Sequence, residues 1–157
     1  MTSKDIIIRL TTDSVDSLFS NARAMPVDRL TWEVAAGART PLQILQECAQ
    51  APMWAVKMLT DRAIPDFSPE AFQEALSERA QWDSVDMCEQ VCRERIQSLI
   101  ETIRDFPEED MEKTLFLPFT QQDHPYWDLM MYPYWNNIWH TGQLAFVQTL
   151  YGDKDMH

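Results

Sequence analysis

His140 is the one histidine of three that falls inside a strongly helical stretch, "NNIWHTGQLAFV", Asn136 to Val147. On a wheel of about 100° per residue, it lies between Leu144 and Val147, with Asn136 and Gln143 beyond it between Val147 and Leu150. All three polar groups turn away from an arc made by Asn137, Thr141 and Gln148, the predicted solvent face. Buried polar groups need partners, because leaving one unsatisfied costs roughly 1–3 kcal/mol. An earlier stretch, "TPLQILQECAQAPMWAVKML", has its polar arc at Gln43, Gln46, Gln50 and Lys57, with Glu47 displaced towards Ala51, Trp54 and Met58. Glu47 is therefore the candidate to face His140. A carboxylate from one helix and an i,i+4 pair, Asn136 and His140, from another is how helical bundles assemble interior metal or acid–base sites. Glu47 and His140 are the candidates for proton transfer, and a neighbouring carboxylate is expected to raise the pKa of the imidazole.

Other reactive side chains read as structural. Cys88 and Cys92 are spaced i,i+4 on an apolar helical seam, too far apart for an unstrained disulfide. With Cys48 they make an odd count, which suits reduced thiols packed in a core. His124 precedes Pro125 at a helix start, where a surface or capping role is expected, and His157 is expected to be disordered. Asp128 sits on an otherwise apolar side of its helix and requires a partner that its spacing does not name. The aromatic run "YWDLMMYPYW", with Trp139 after it, suits core packing, a dimer interface or the lining of an apolar pocket.

The elements that position these groups follow from periodicity and capping signals. A first helix is predicted from Ser3 to Met25, with Val15, Leu18, Phe19 and Ala22 inward and Asp13, Asp16 and Asn21 outward. Pro26 ends it, and Leu30 and Trp32 plug the loop that follows. Thr40, Pro41 and Gln43 form a capping box opening a second helix that runs to about Arg62, with a kink expected at Pro52. A short amphipathic helix begins at Ser68-Pro69. A third long helix, Ser84 to Asp105, places Val85, Cys88, Val91, Cys92, Ile96, Leu99 and Ile103 along one seam. Residues Pro107 to His124 read as irregular, with "TLFLPF" an extended apolar piece needing cover. A fourth long helix runs from Pro125 to about Tyr151 and stops at Gly152. The fold class is all-α: one domain over 1–157, a four-helix bundle with a short extra helix between helices two and three.

Composition narrows the function. With 25 acidic and 13 basic residues the formal charge is -12 and the pI about 4.5, so neither nucleic acid nor an anionic membrane surface is an expected partner. The apolar run near the N-terminus breaks after three residues, too short for a signal or a membrane span, and a cytoplasmic location is expected. Three glycines leave no phosphate-binding fingerprint, and there is no G-x-S-x-G elbow.

The chain resembles the DinB/YfiT-like family of four-helix-bundle metalloenzymes over nearly its full length. The resemblance is carried by "MPVDRLTWEVAAGART", by "TPLQILQE" at the start of helix two and, most specifically, by "HTGQLAFVQTLYG" at the end of the last helix. It implies a divalent metal, zinc or nickel, held by one histidine of helix two and an H-x-x-x-H pair of helix four. It also implies thiol-dependent transferase or isomerase chemistry, a small-molecule or thiol substrate, and a homodimer. Those ligand positions fall here on Glu47, Asn136 and His140, so one histidine of three is kept. An amide oxygen is a poor zinc ligand and suits harder cations. Two readings stay open: a divergent metal-dependent transferase or hydrolase with a Glu47/Asn136/His140 site, and a non-catalytic small-molecule-binding or stress-response bundle in which Glu47 hydrogen-bonds His140.

Overall fold

A computed structural model describes residues 1–157 as a mostly helical chain with one small hairpin. In order come α1 (Ser3–Ala24), a 3-10 turn at Val27–Arg29, α2 (Pro41–Asp61), α3 (Pro69–Arg79), α4 (Val85–Asp105), a 3-10 turn at Glu108–Asp110, β1 (Thr114–Leu117), β2 (Gln122–Pro125) and α5 (Tyr126–Leu150). The four long helices form a closed ring of neighbours: α1 packs on α4 and α5, and α2 packs on the same two. Helices α1 to α4 each start where a side chain satisfies a free N–H group, whereas α5 follows Pro125 without a side-chain cap. The expected box at the start of α2 is present, Gln43 N–H donating to Thr40 Oγ1 and Thr40 N–H to Gln43 Oε1. Ser68 and Ser84 cap α3 and α4, and Thr2 with Asp5 forms a further box on α1. Both α2 and α5 continue through their internal prolines, Pro52 and Pro133.

The α4 seam is as its periodicity predicts, with Cys88, Cys92, Ile96, Leu99 and Ile103 buried. α5 differs from its predicted orientation. Its supposed solvent arc faces α1: Asn137 and Gln148 are buried, Asn137 Nδ2 donating to Ser14 Oγ at 3.1 Å and Gln148 Nε2 to the Asn21 carbonyl at 3.2 Å. Asn21, expected outside, is buried in the same seam. Trp135, Ile138, Trp139, Phe146 and Leu150 are exposed instead, Trp139 to 70%. The reversal has a physical cause. α5 is apolar on nearly every side, so its few amides follow their partners on α1 rather than water. The polar arc of α2 is covered in the same way, Gln46 donating to the Trp82 carbonyl and Gln50 to the Ala75 carbonyl beneath α3.

The segment expected to be irregular contains the antiparallel pair β1–β2, with Leu115 opposite His124 and Leu117 opposite Gln122. Leu117 is fully buried, which meets the need for cover, while Phe116 and Phe119 stay exposed. The hairpin carries no usual turn signal. Its left-handed residue is Gln121, φ 57°, rather than glycine or asparagine, and β2 reads "QDHP" without apolar alternation.

Candidate functional site

α2 and α5 bring Glu47 and His140 together from positions 93 residues apart, with His140 Nε2 3.2 Å from Glu47 Oε1. The imidazole is 2% exposed, and its Nδ1 lies 2.6 Å from the Gln143 side-chain amide. A neutral ring has one N–H. Glu47 can only accept, so Nε2 carries that hydrogen, and Nδ1 accepts from the Gln143 amide, whose two ends exchange by a flip.

Glu47 is more heavily engaged than its sequence context suggests. Its Oε2 accepts from Arg39, in the loop before α2, and lies 4.0 Å from Arg79 Nη1 at the last residue of α3. The carboxylate thus stands between one neutral imidazole and two guanidiniums. This corrects the expected direction of the His140 shift. Burial pushes the imidazole pKa below its ordinary value, and the charge of Arg39 adds to the change. Asn136 lines the same cleft, yet its Nδ2 points to Cys48 Sγ at 3.6 Å. No three His, Cys, Asp or Glu side chains converge anywhere in the chain.

Two cavities share Ala51, Trp54, Phe67 and Asn136 and form one continuous cleft. The polar end, about 460 Å³, is bounded by Arg39, Glu47, Gln50 and Arg79. The apolar end, about 850 Å³, is walled by Trp54, Met58, Ile64, Phe67, Phe119 and Tyr132. Its rings are mutually packed, Trp54 to Phe67 at 5.2 Å and Phe67 to Phe119 at 5.9 Å. His140 lines neither cavity, so the side chain a ligand meets is Glu47, with His140 fixing it from behind. Part of the aromatic run does line a pocket, through Tyr132, whereas its tryptophans face outward.

His124 and Asp128 supply each other's partners. His124 Nδ1 is 2.6 Å from Asp128 Oδ2, and its Nε2 is 2.8 Å from Thr120 Oγ1. Of the surface and capping roles expected for it, the part-buried imidazole is nearer the second, clasping the hairpin turn to the first turn of α5. His157 pairs with Asp153, and its carbonyl accepts from Asn21, in place of the expected disorder. Cys48, Cys88 and Cys92 are free and buried. Burial is the main cause that raises all three thiols, Cys88 and Cys92 to about 12.

Arg39, Arg79, Phe67 and Phe119 are the parts of the cleft that the sequence does not point to. Arg39 lies in a loop, Arg79 ends a short helix and Phe119 occupies a hairpin turn, so no helical spacing ties them to Glu47. No family model matches the chain, and no curated protein matches it. No helix is long and apolar enough to cross a membrane.

Proposed function

We propose that this chain is a divergent bundle of the DinB/YfiT-like type that binds a small molecule in the α2–α3–α5 cleft and works without a resident metal. The family reading is supported by the meeting of Glu47 and His140, which occupy the positions where the resemblance places ligands. The observation that carries the metal-free reading is the commitment of Glu47 to Arg39, Arg79 and His140 at the floor of a ligand-sized cleft. A zinc-like ion is a poor fit to this donor set. It would sit beside two guanidiniums, with one imidazole and with an amide whose nitrogen is engaged by Cys48.

The rival reading, a metal-dependent transferase or hydrolase at Glu47, Asn136 and His140, has one observation in its favour. The 3.2 Å between Glu47 Oε1 and His140 Nε2 is near the roughly 3.3 Å expected between two ligands of one tetrahedral ion. It requires Arg39 to leave the carboxylate. Elemental analysis of purified protein, followed by thermal shifts with zinc, nickel, magnesium and calcium, separates the two. A site filled at a hundredfold excess over its dissociation constant adds about 2.7 kcal/mol. The proposal expects no stoichiometric metal and no stabilisation. A 1:1 ion whose stabilisation disappears in His140→Ala would overturn it.

We also propose that a second copy of this chain covers the exposed face of α5. Trp135, Ile138, Trp139, Phe146 and Leu150 share one side of the helix, and Trp139 and Phe146 line a groove of about 540 Å³ with Gly142. Asp128 is the single charged residue between Tyr126 and Leu150, so two copies of a strongly acidic chain meet there without like-charge repulsion.

A further inference from the structure

Arg79 has only a distant, shared counter-charge. Its side chain is 19% exposed, its guanidinium makes no hydrogen bond within the chain, and the nearest carboxylate oxygen, Glu47 Oε2, is 4.0 Å away and engaged by Arg39. Its N–H donors have no close acceptor within the chain and open onto the cleft, where a ligand can meet them. Burial and the charge of Arg39 both lower the Arg79 pKa, as expected for a cation short of counter-charge. At the polar end of the cleft, two guanidiniums face one carboxylate and a neutral imidazole, a surplus of one positive charge in a chain of net charge -12. The other acids nearby lie away from the two guanidiniums, and Asp66 keeps its charge at the far end. Glu78 pairs with Arg95, and Asp66, at the rim of the apolar end, accepts from Ser68 N–H and Oγ.

Building on the small-molecule reading, we infer that the ligand is an amphipathic monocarboxylate, its carboxylate held by Arg79 and Arg39 and its apolar body lying against the wall of Trp54, Phe67 and Phe119. A guanidinium presents a planar pair of donors that matches a carboxylate. A single surplus charge suits a monoanion, and the carboxylate of Glu47 in the same cluster opposes a second negative charge. Phe67 and Phe119 are exposed on a concave wall, so an apolar body seated against them removes from water the surface that the chain leaves uncovered.

Isothermal titration of the full chain with 6-phenylhexanoate, 6-phenylhexan-1-ol and 6-phenylhexylamine tests the inference, since the three probes share one body and differ in charge. The carboxylate is expected to bind 1:1, about tenfold or more tighter than the alcohol, with the amine weakest, and to weaken as salt is raised. Arg79→Gln should reduce the carboxylate to the affinity of the alcohol and leave the alcohol unchanged, while Arg79→Lys recovers part of the difference. Ala51→Trp, placed where the two cavities join, should abolish binding of both. Equal binding of alcohol and carboxylate, both lost in Ala51→Trp, would overturn the inference and leave the cleft reading standing. Binding by none of the three probes would overturn both.

Discussion

His140 Nε2 donates to Glu47 Oε1 across 3.2 Å, and the same carboxylate is shared with Arg39 and Arg79, so the imidazole is held as a neutral donor. A pH dependence follows. The folded pKa of His140 lies below its unfolded value of 6.5. As pH falls through 6.5 the unfolded chain takes up the proton first, and stability is lost until the folded pKa is reached. Urea midpoints of the wild type should therefore fall more steeply from pH 8 to pH 5 than those of His140→Gln. Parallel curves would contradict the assignment.

Glu47→Gln removes the counter-charge of two guanidiniums. Glu47 is 29% exposed, so the cost is expected near that of a partly screened pair, about 1 kcal/mol in urea unfolding. The surplus charge at the polar end of the cleft rises from one to two. Affinity for 6-phenylhexanoate should therefore increase in the same variant, and a decrease would argue that Glu47 itself receives the ligand.

Between α1 and α5, Asn137 Nδ2 donates to Ser14 Oγ, while Asn137 Oδ1 has no partner. Asn137→Ala should cost about 2 kcal/mol through a lost hydrogen bond and a cavity. Ser14→Ala combined with Asn137→Leu, which fills the space and removes both polar groups, should cost less than the two single changes together. A double-mutant cycle in urea measures the coupling.

The clasp of Thr120, His124 and Asp128 holds the hairpin that carries Pro118 and Phe119 into the apolar cavity. His124→Ala should speed amide exchange in β1 and β2 by about tenfold, with little change in the slowest core amides. Weaker binding of 6-phenylhexan-1-ol is expected alongside, because one wall of its site is loosened. Unchanged exchange in the hairpin would show that the clasp is dispensable.

Trp139→Glu places a charge at the most exposed ring of the α5 face. Light scattering should give twice 18.4 kDa for the wild type and 18.4 kDa for the variant. A wild type that is monomeric at millimolar concentration would remove the case for a second copy.

Helix positions were legible because caps and periodicity agree. Thr40 with Gln43 and Ser68 with Pro69 mark starts that the structure keeps, and the α4 seam is a single stripe with charges opposite. α5 was misread because a wheel assigns polar residues to water, and that rule has little to act on in a helix apolar on most sides. Asn137 and Gln148 are polar because α1 offers Ser14 and the Asn21 carbonyl, which no wheel of α5 contains. The meeting of Glu47 with His140 was legible for the converse reason: both were displaced from their polar arcs and each needed a partner. Arg39 and Arg79 were not, since a loop and the end of a short helix carry no period that points to α2.

The three cysteines have a practical meaning for measurement. Fully buried, with proton affinities raised so that essentially no thiolate forms near neutral pH, Cys48, Cys88 and Cys92 should ignore maleimides and iodoacetamide in the folded chain. The natural sequence is thus a silent background for fluorophores and spin labels. One cysteine introduced on the exposed hairpin turn and another on α3 would report the width of the cleft directly, with no native thiol to remove.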